Sequence, residues 1–199
     1  MKAMQGFQEI GKKYGATKFQ GDVYPGQTFE LIYDDIFASF RLKSSLKFLE
    51  IGIQEGASLR VWKEYFPYAQ IIGIDNDVSS LFEEDRITTY LIDQSDEKAL
   101  RELLGMYENF DIVVDDGGHI SAQQIISLNV LLPYTKYVYC IEDLDTSYPE
   151  IFPKHSEEGR DTIMMELKKI VDSAVLERND IERIDFRKRF CAIYKKNRE

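Results

Sequence analysis

Acidic and small residues collect where two apolar runs end. The run FDIVV (110–114) opens into Asp115-Asp116-Gly117-Gly118-His119, and the run YVYCI (137–141) opens into Glu142-Asp143-Leu144-Asp145. If the two runs are neighbouring strands, about 4.8 Å apart, then Asp116, Glu142 and Asp143 converge on one spot without a basic partner. Such carboxylates repel one another unless a hard divalent cation lies among them. An all-oxygen donor set favours Mg²⁺, or else Mn²⁺ or Ca²⁺. Open coordination positions could take acceptor hydroxyls and lower their pKa. His119, three residues beyond Asp116 on a glycine turn, is placed to take the proton as general base. A histidine after a glycine turn is by itself more often a loop residue. Two acidic strand ends beside it turn the reading toward a site. His155, in a polar loop, has no assigned role.

A second set of residues suits a nucleoside. The run KFLEI ends at Gly52 and is followed by Ile53-Gln54-Glu55-Gly56-Ala57-Ser58. Small residues there let a ligand approach the backbone and the next helix N-terminus. The run QIIGID ends in Asp75, where a carboxylate can accept hydrogen bonds from a ribose diol. A weaker run ends Asp93-Gln94-Ser95-Asp96, polar groups suited to adenine edges, with Ser95 or Asp96 also able to cap a helix. The glycine turn lacks the G-x-G-x-x-G spacing that makes room for a pyrophosphate. It carries Glu55, which would repel one, whereas a sulfonium amino acid tolerates a carboxylate. The pattern therefore favours S-adenosylmethionine over a nicotinamide dinucleotide.

These residues need a scaffold that gathers strand ends. Strands are expected at Lys47–Gly52, Gln70–Asp75, Ile87–Ile92, Phe110–Asp115 and Tyr137–Ile141. Helices are expected at Ala57–Tyr65, Asp96–Met106, Ser121–Leu132 (ending at Pro133) and Arg160–Ala174. Strands alternating with helices specify an α/β, doubly wound, mainly parallel sheet with helices on both faces. A C-terminal hairpin, Ile181–Phe186 and Phe190–Lys195, adds an antiparallel strand to a Rossmann-like sheet of seven. Residues 1–45 read as a helical preface, with a helix at Phe29–Phe40 and a Gly/Tyr-rich, substrate-side loop from Tyr14 to Gln27. Residues 46–199 read as the main α/β domain, and 143–158 as a polar loop that could serve as a lid.

Composition narrows the partners. With 199 residues, the chain suits one domain. Its formal net charge of −10 disfavours a nucleic-acid backbone. No apolar run is long enough for a membrane span, and the N-terminus has no secretory pattern. Cys140 and Cys191 sit in apolar strands without metal or disulfide spacing. The expectation is a cytoplasmic protein without nucleic-acid or membrane partners, with a homo-oligomer left open.

The segments FLEIGIQEGASLRVWKEYFPYAQIIGIDND, DQSDEKALRELL, FDIVVDDGGHI and YCIEDLDTSY resemble the metal-dependent sugar O-methyltransferases, a family of class I S-adenosylmethionine methyltransferases that includes the macrolide enzymes. They are also similar to the cephalosporin hydroxylase-like proteins of the same fold. The resemblance runs from about residue 9 to 150, and D-D-G-x-H followed by E-D-L-x-T-S-Y is its specific part. It implies Mg²⁺ on Asp116, Glu142 and Asp143, with His119 as base. It implies S-adenosylmethionine around Glu50, Gly52, Ser58, Asp75, Asp93 and Gln94, with Asp115 near the methionine end. Tyr24 and Tyr148 would lie on the side of a sugar-bearing acceptor. KYGATK resembles the family's KYGTDK. The chain departs from the family at Gly118, where Ser is usual, at Gly21-Asp22-Val23-Tyr24 in place of His-x-Tyr, and at Tyr134-Thr135-Lys136 in place of Pro-Gly-Gly. Two other readings stay open: a nicotinamide-dependent oxidoreductase on the same fold, and a cofactor-binding homologue without turnover.

Overall fold

The structure is a computed structural model that describes residues 5–21, 29–153 and 161–196. Among these residues, eight strands form one sheet: β1 (Lys47–Ile51), β2 (Gln70–Asp75), β3 (Glu83–Glu84), β4 (Ile87–Leu91), β5 (Phe110–Asp115), β6 (Thr135–Ile141), β7 (Ile181–Arg187) and β8 (Phe190–Lys195). Their order is β3-β4-β2-β1-β5-β6-β8-β7. The five central strands run parallel. β8 enters antiparallel between β6 and β7, as a hairpin partner of β7. The eighth strand, beyond the expected seven, is the two-residue β3, antiparallel to β4 at the sheet edge. Two residues are too few for a periodic signal.

Among the described residues, six α-helices flank the sheet: α1 (Phe7–Tyr14), α2 (Phe29–Phe37), α3 (Ala57–Tyr65), α4 (Glu97–Tyr107), α5 (Ser121–Leu131) and α6 (Ile163–Val175). Several ends are set by local chemistry. The Asp96 side chain accepts from Ala99 N at 3.0 Å to open α4, and Thr162 accepts from Met165 N at 3.3 Å to open α6. Gly15, with φ 71°, closes α1 in the left-handed region. Pro133 does not stop the chain's coiling outright, because a 3-10 turn (Leu132–Tyr134) carries it into β6.

α1 lies in the helical preface, ahead of the one helix that sequence patterning placed there, Phe29–Phe40. It is eight residues long, largely polar and has Gly11 inside, which weakens its helical signal. Tertiary packing supplies what propensity does not. Phe7 stacks on Tyr65 at 3.7 Å between ring centroids and on Phe19 at 5.4 Å. A Cβ at Gly11 would collide with Phe19, so glycine lets helix and turn close together. Lys13 and the Tyr14 hydroxyl both reach Glu64 on α3.

The core lies on both faces of the sheet. Phe7, Phe19, Tyr33 and Phe37 from the N-terminal segment join Phe48, Trp62, Ile112 and Val138 on one face. Leu49, Ile72, Val113, Tyr139 and Ile141 meet α4, α5 and α6 on the other. Each fully buried Phe is worth roughly 1.5–3 kcal/mol, so the N-terminal helices are held to the sheet by apolar burial. The strand order reverses between β1 and β5, and in open α/β sheets that reversal opens a crevice beyond the strand ends.

Candidate active site

β1, β5 and β6 are adjacent, so their C-terminal ends deliver Glu50, Asp115-Asp116 and Glu142-Asp143 to one edge. The turn after β1 must fold tightly over the turn after β5. Gly52 adopts φ 91°, and a Cβ there would collide with the Asp116 carbonyl oxygen. Only glycine combines that backbone with that approach.

On the nucleoside side, Asp75 ends β2. Its Oδ2 accepts from Ile53 N at 2.8 Å and Gln54 N at 3.2 Å, and its Oδ1 from Asp77 N at 2.9 Å. The carboxylate thus organises the turn from which a ribose would approach. Asp93 closes a local turn by accepting from Ser95 N and Oγ, which holds its carboxyl below the usual range. Buried Gln94 links two layers: its amide nitrogen donates to Asp115 Oδ1 at 3.2 Å, and its oxygen accepts from Gly118 N at 2.7 Å. Asp115 lies behind Gln94, fully buried, and accepts from Ser127 Oγ at 2.6 Å. Burial raises its pKa against the lowering by Ser127. Gly52, Ser58, Asp75, Asp93 and Gln94 line a cleft of about 480 Å³, whereas Glu50 and Asp115 stand behind its wall.

The acidic end of the same cleft holds Asp116 and His119. Ligand atoms of Asp116, His119 and Asp143 all lie within 4.8 Å of one another. His119 Nε2 is 3.8 Å from Asp116 Oδ1 and 3.5 Å from Asp143 Oδ2, while its Nδ1 is buried without a partner. Asp143 also pairs with Arg189, from the β7–β8 turn. Burial raises the Asp143 pKa, with His119 and Arg189 opposing.

Glu142 is fully buried, and its Oε1 accepts from Lys18 Nζ at 2.9 Å and Tyr33 OH at 2.5 Å. Lys18 also donates to Glu50 Oε1 and to Asp116 Oδ2, each at 2.8 Å. The expectation of carboxylates without a basic partner is therefore corrected: a cation from residue 18 stands among them. Burial alone would lower the Lys18 pKa, but attraction from Asp116, Glu142 and Glu50 wins and raises it well above the usual value. Burial, then the Asp116 charge, pushes Glu142 up to about 8 despite Lys18. Burial likewise raises Glu50, against Lys18.

Tyr148 follows the 3-10 turn Leu144–Ser147, is 42 % exposed and is not among the residues lining the cleft. Tyr24 lies outside the described residues, as does His155. Patterning missed Lys18, Tyr33, Ser127 and Gln124, whose amide nitrogen donates to the Glu142 carbonyl oxygen at 3.4 Å. KYGATK marked the segment of Lys18, but nothing local signals a partner on another strand.

The chain is 34 % identical to the 8-demethyl-8-alpha-L-rhamnosyl tetracenomycin-C 2'-O-methyltransferase of Streptomyces olivaceus over 166 residues, which is 79 % of this chain and 44 % of that enzyme. It is 40 % identical to the demethylmacrocin O-methyltransferase of Streptomyces fradiae over 152 residues, 71 % of this chain and 38 % of that one. This chain is a homologue of the sugar O-methyltransferases. Its fold agrees: the MycE methyltransferase of the mycinamycin biosynthetic pathway, solved with Mg, SAH and mycinamycin VI, matches at a TM-score of 0.86 and 29 % identity. The match covers 98 % of this chain and 56 % of that one. No protein-family model matches the chain. The chain spans less than half the length of the curated relatives it matches. Among the described residues no helix is long and apolar enough to cross a membrane.

Proposed function

We propose that this protein transfers a methyl group from S-adenosylmethionine to a hydroxyl of a sugar or glycosylated small molecule, with the help of a divalent cation, Mg²⁺ first. One observation carries the reading. Asp75 and Gln94, suited to a nucleoside, line the same cleft as Asp116 and His119, suited to acid–base and metal chemistry. The relatives named for rhamnosyl and macrocin O-methylation support the acceptor class. The solved neighbour with Mg and SAH supports the cofactors.

The donor set fits a hard cation. Asp116 and Asp143 present carboxylate oxygens within one cluster with His119. Glu142 is outside that cluster but shares Lys18 with Asp116, and its Oε1 takes the hydrogen bonds from Lys18 and Tyr33. Asp116, Glu142 and Asp143 would hold Mg²⁺, which would supply a Lewis acid for acceptor hydroxyls. Imidazole is a poor ligand for so hard an ion, which leaves His119 for the proton. S-adenosylmethionine supplies an already activated methyl.

The chain's own residues then position and deprotonate. Asp75 orients the donor's ribose, Gly52 and Ser58 give it close backbone and helix approach, and Asp93 and Gln94 border its base. Glu50 and Asp115 support the wall from behind. His119 Nε2 would receive the hydroxyl proton as the oxygen attacks the donor's methyl carbon, the methyl–sulfur bond breaking to leave S-adenosylhomocysteine, and Asp116 and Asp143 beside it stabilise the imidazolium. Alignment of donor and acceptor supplies much of the rate. Tyr24 and Tyr148 belong on the acceptor side in this reading. Free, buried Cys140 and Cys191 suit a reducing cytoplasm.

The test is methyl transfer from radiolabelled S-adenosylmethionine to rhamnosylated polyketide acceptors. Transfer should require Mg²⁺, stop with EDTA and return with excess Mg²⁺. Turnover indifferent to EDTA would remove the metal from the reaction. Binding of a nicotinamide dinucleotide in place of S-adenosylhomocysteine would favour an oxidoreductase.

A further inference from the structure

Lys18 sits where three strands end. Its Nζ reaches Glu50 from β1 at 2.8 Å, Asp116 beyond β5 at 2.8 Å and Glu142 beyond β6 at 2.9 Å. These strands are consecutive in the sheet and straddle the point where its order reverses. An ammonium has three N–H donors and no acceptor, so all its hydrogens are spent on carboxylates. It has none to offer a substrate and no lone pair to take a proton. Its role at the site is to position others.

What it positions is specific. Asp116 gives Oδ2 to Lys18, and its Oδ1 faces His119. Glu142 gives Oε1 to both Lys18 and Tyr33. Lys18 thereby leaves Asp116 Oδ1 for the cluster with His119 and Asp143 and holds Glu142 by one oxygen beside it. The ammonium also lies 5.7 Å from the Phe19 ring centre and 5.6 Å from that of Trp62. Gly15, Ala16 and Thr17, which precede it, wall the cleft.

We propose that Lys18 is a positioning residue that pre-orients Asp116 and Glu142 for a divalent cation and pins the N-terminal segment to the cation site. This rests on the metal-dependent reading above. Without the ammonium, buried carboxylates on three strands repel one another and turn away, and the ligand geometry is lost. Partners beyond the direct ligands commonly set metal affinity by about 10–100-fold.

The experiment is Mn²⁺ binding, followed by the loss of the free-ion electron paramagnetic resonance signal, in the wild type, Lys18→Met and Lys18→Arg, without donor or acceptor. Lys18→Met keeps the apolar stem, and its Mn²⁺ Kd should rise about tenfold or more. Lys18→Arg keeps the charge but not three single donors aimed at three strands, and it should fold and still bind several-fold more weakly. It keeps the test open if Lys18→Met fails to fold. A lower melting temperature with wild-type Mn²⁺ affinity in a folded variant would make Lys18 merely structural and overturn the proposal. Tighter Mn²⁺ binding in Lys18→Met would also overturn it, by making the lysine a competitor for the cation's place. Absence of Mn²⁺ binding by the wild type would overturn the metal reading and this proposal together, whereas wild-type binding with unchanged variants overturns this proposal alone.

Discussion

His119 and Asp143 face each other with 3.5 Å between Nε2 and Oδ2, and both hold left-handed backbone, at φ 54° and 53°. Neither is a glycine, and such conformations cost of order 1 kcal/mol or more each. The two residues come from the turns after the adjacent strands β5 and β6 and meet side chain to side chain.

If His119 is the base, removing its imidazole should lower turnover by roughly 10²–10⁴-fold and leave S-adenosylhomocysteine affinity unchanged. The backbone adds a second readout. His119→Gly should be more stable than His119→Ala by about 0.5–1 kcal/mol, because only glycine adopts that φ without strain. Kinetics, calorimetry and chemical denaturation of the pair check this. Near-normal turnover in either variant would remove His119 from the base role.

Glu142 sets a pH dependence. Its folded pKa of about 8 lies above the ordinary 4.5. Between those values the folded, metal-free protein holds a proton that the unfolded chain has lost. Stability of the metal-free protein should therefore fall as pH rises through that window. A divalent cation needs the carboxylate ionised, so its affinity should climb toward pH 8, with proton release below that point. Titrations in buffers of different ionisation enthalpy read the proton. A pH-independent affinity across this window would contradict Glu142 as a ligand.

How far the residues themselves disclosed this arrangement depended on distance along the chain. β1, β2 and β5 follow from short apolar runs with acidic or glycine ends, because those strands are buried on both faces, and the C-terminal hairpin follows from two strand-like runs flanking Lys188-Arg189. The Asp116–His119 and Glu142–Asp143 segments were legible because each is local to one strand end. Lys18 was not, since its partners lie 32, 98 and 124 residues away. α1 was hidden for a related reason: its stability comes from Tyr65 and Phe19, not from its own eight residues. The resemblance put Asp115 near the methionine end of the donor; packing adds that its carboxylate is buried against Ser127 and Gln94.

Gly52 is the tightest joint between the two halves of the site. Gly52→Ala would force a Cβ into the Asp116 carbonyl oxygen at a positive φ. The expected cost is on the order of 2 kcal/mol or more, with loss of both S-adenosylhomocysteine and Mn²⁺ binding, because the turns after β1 and β5 must separate. Urea denaturation and the two titrations check this. A variant as stable as the wild type, binding both, would show that the turns do not need this approach.

Calorimetric titration of the folded protein with S-adenosylhomocysteine puts the reading to its sharpest trial. Saturable binding at one site, weakened about tenfold or more by Asp75→Ala through loss of the Ile53 and Gln54 contacts, is the expected result. No binding by a protein shown to be folded, or binding indifferent to Asp75, would contradict the assignment of this cleft to the methyl donor.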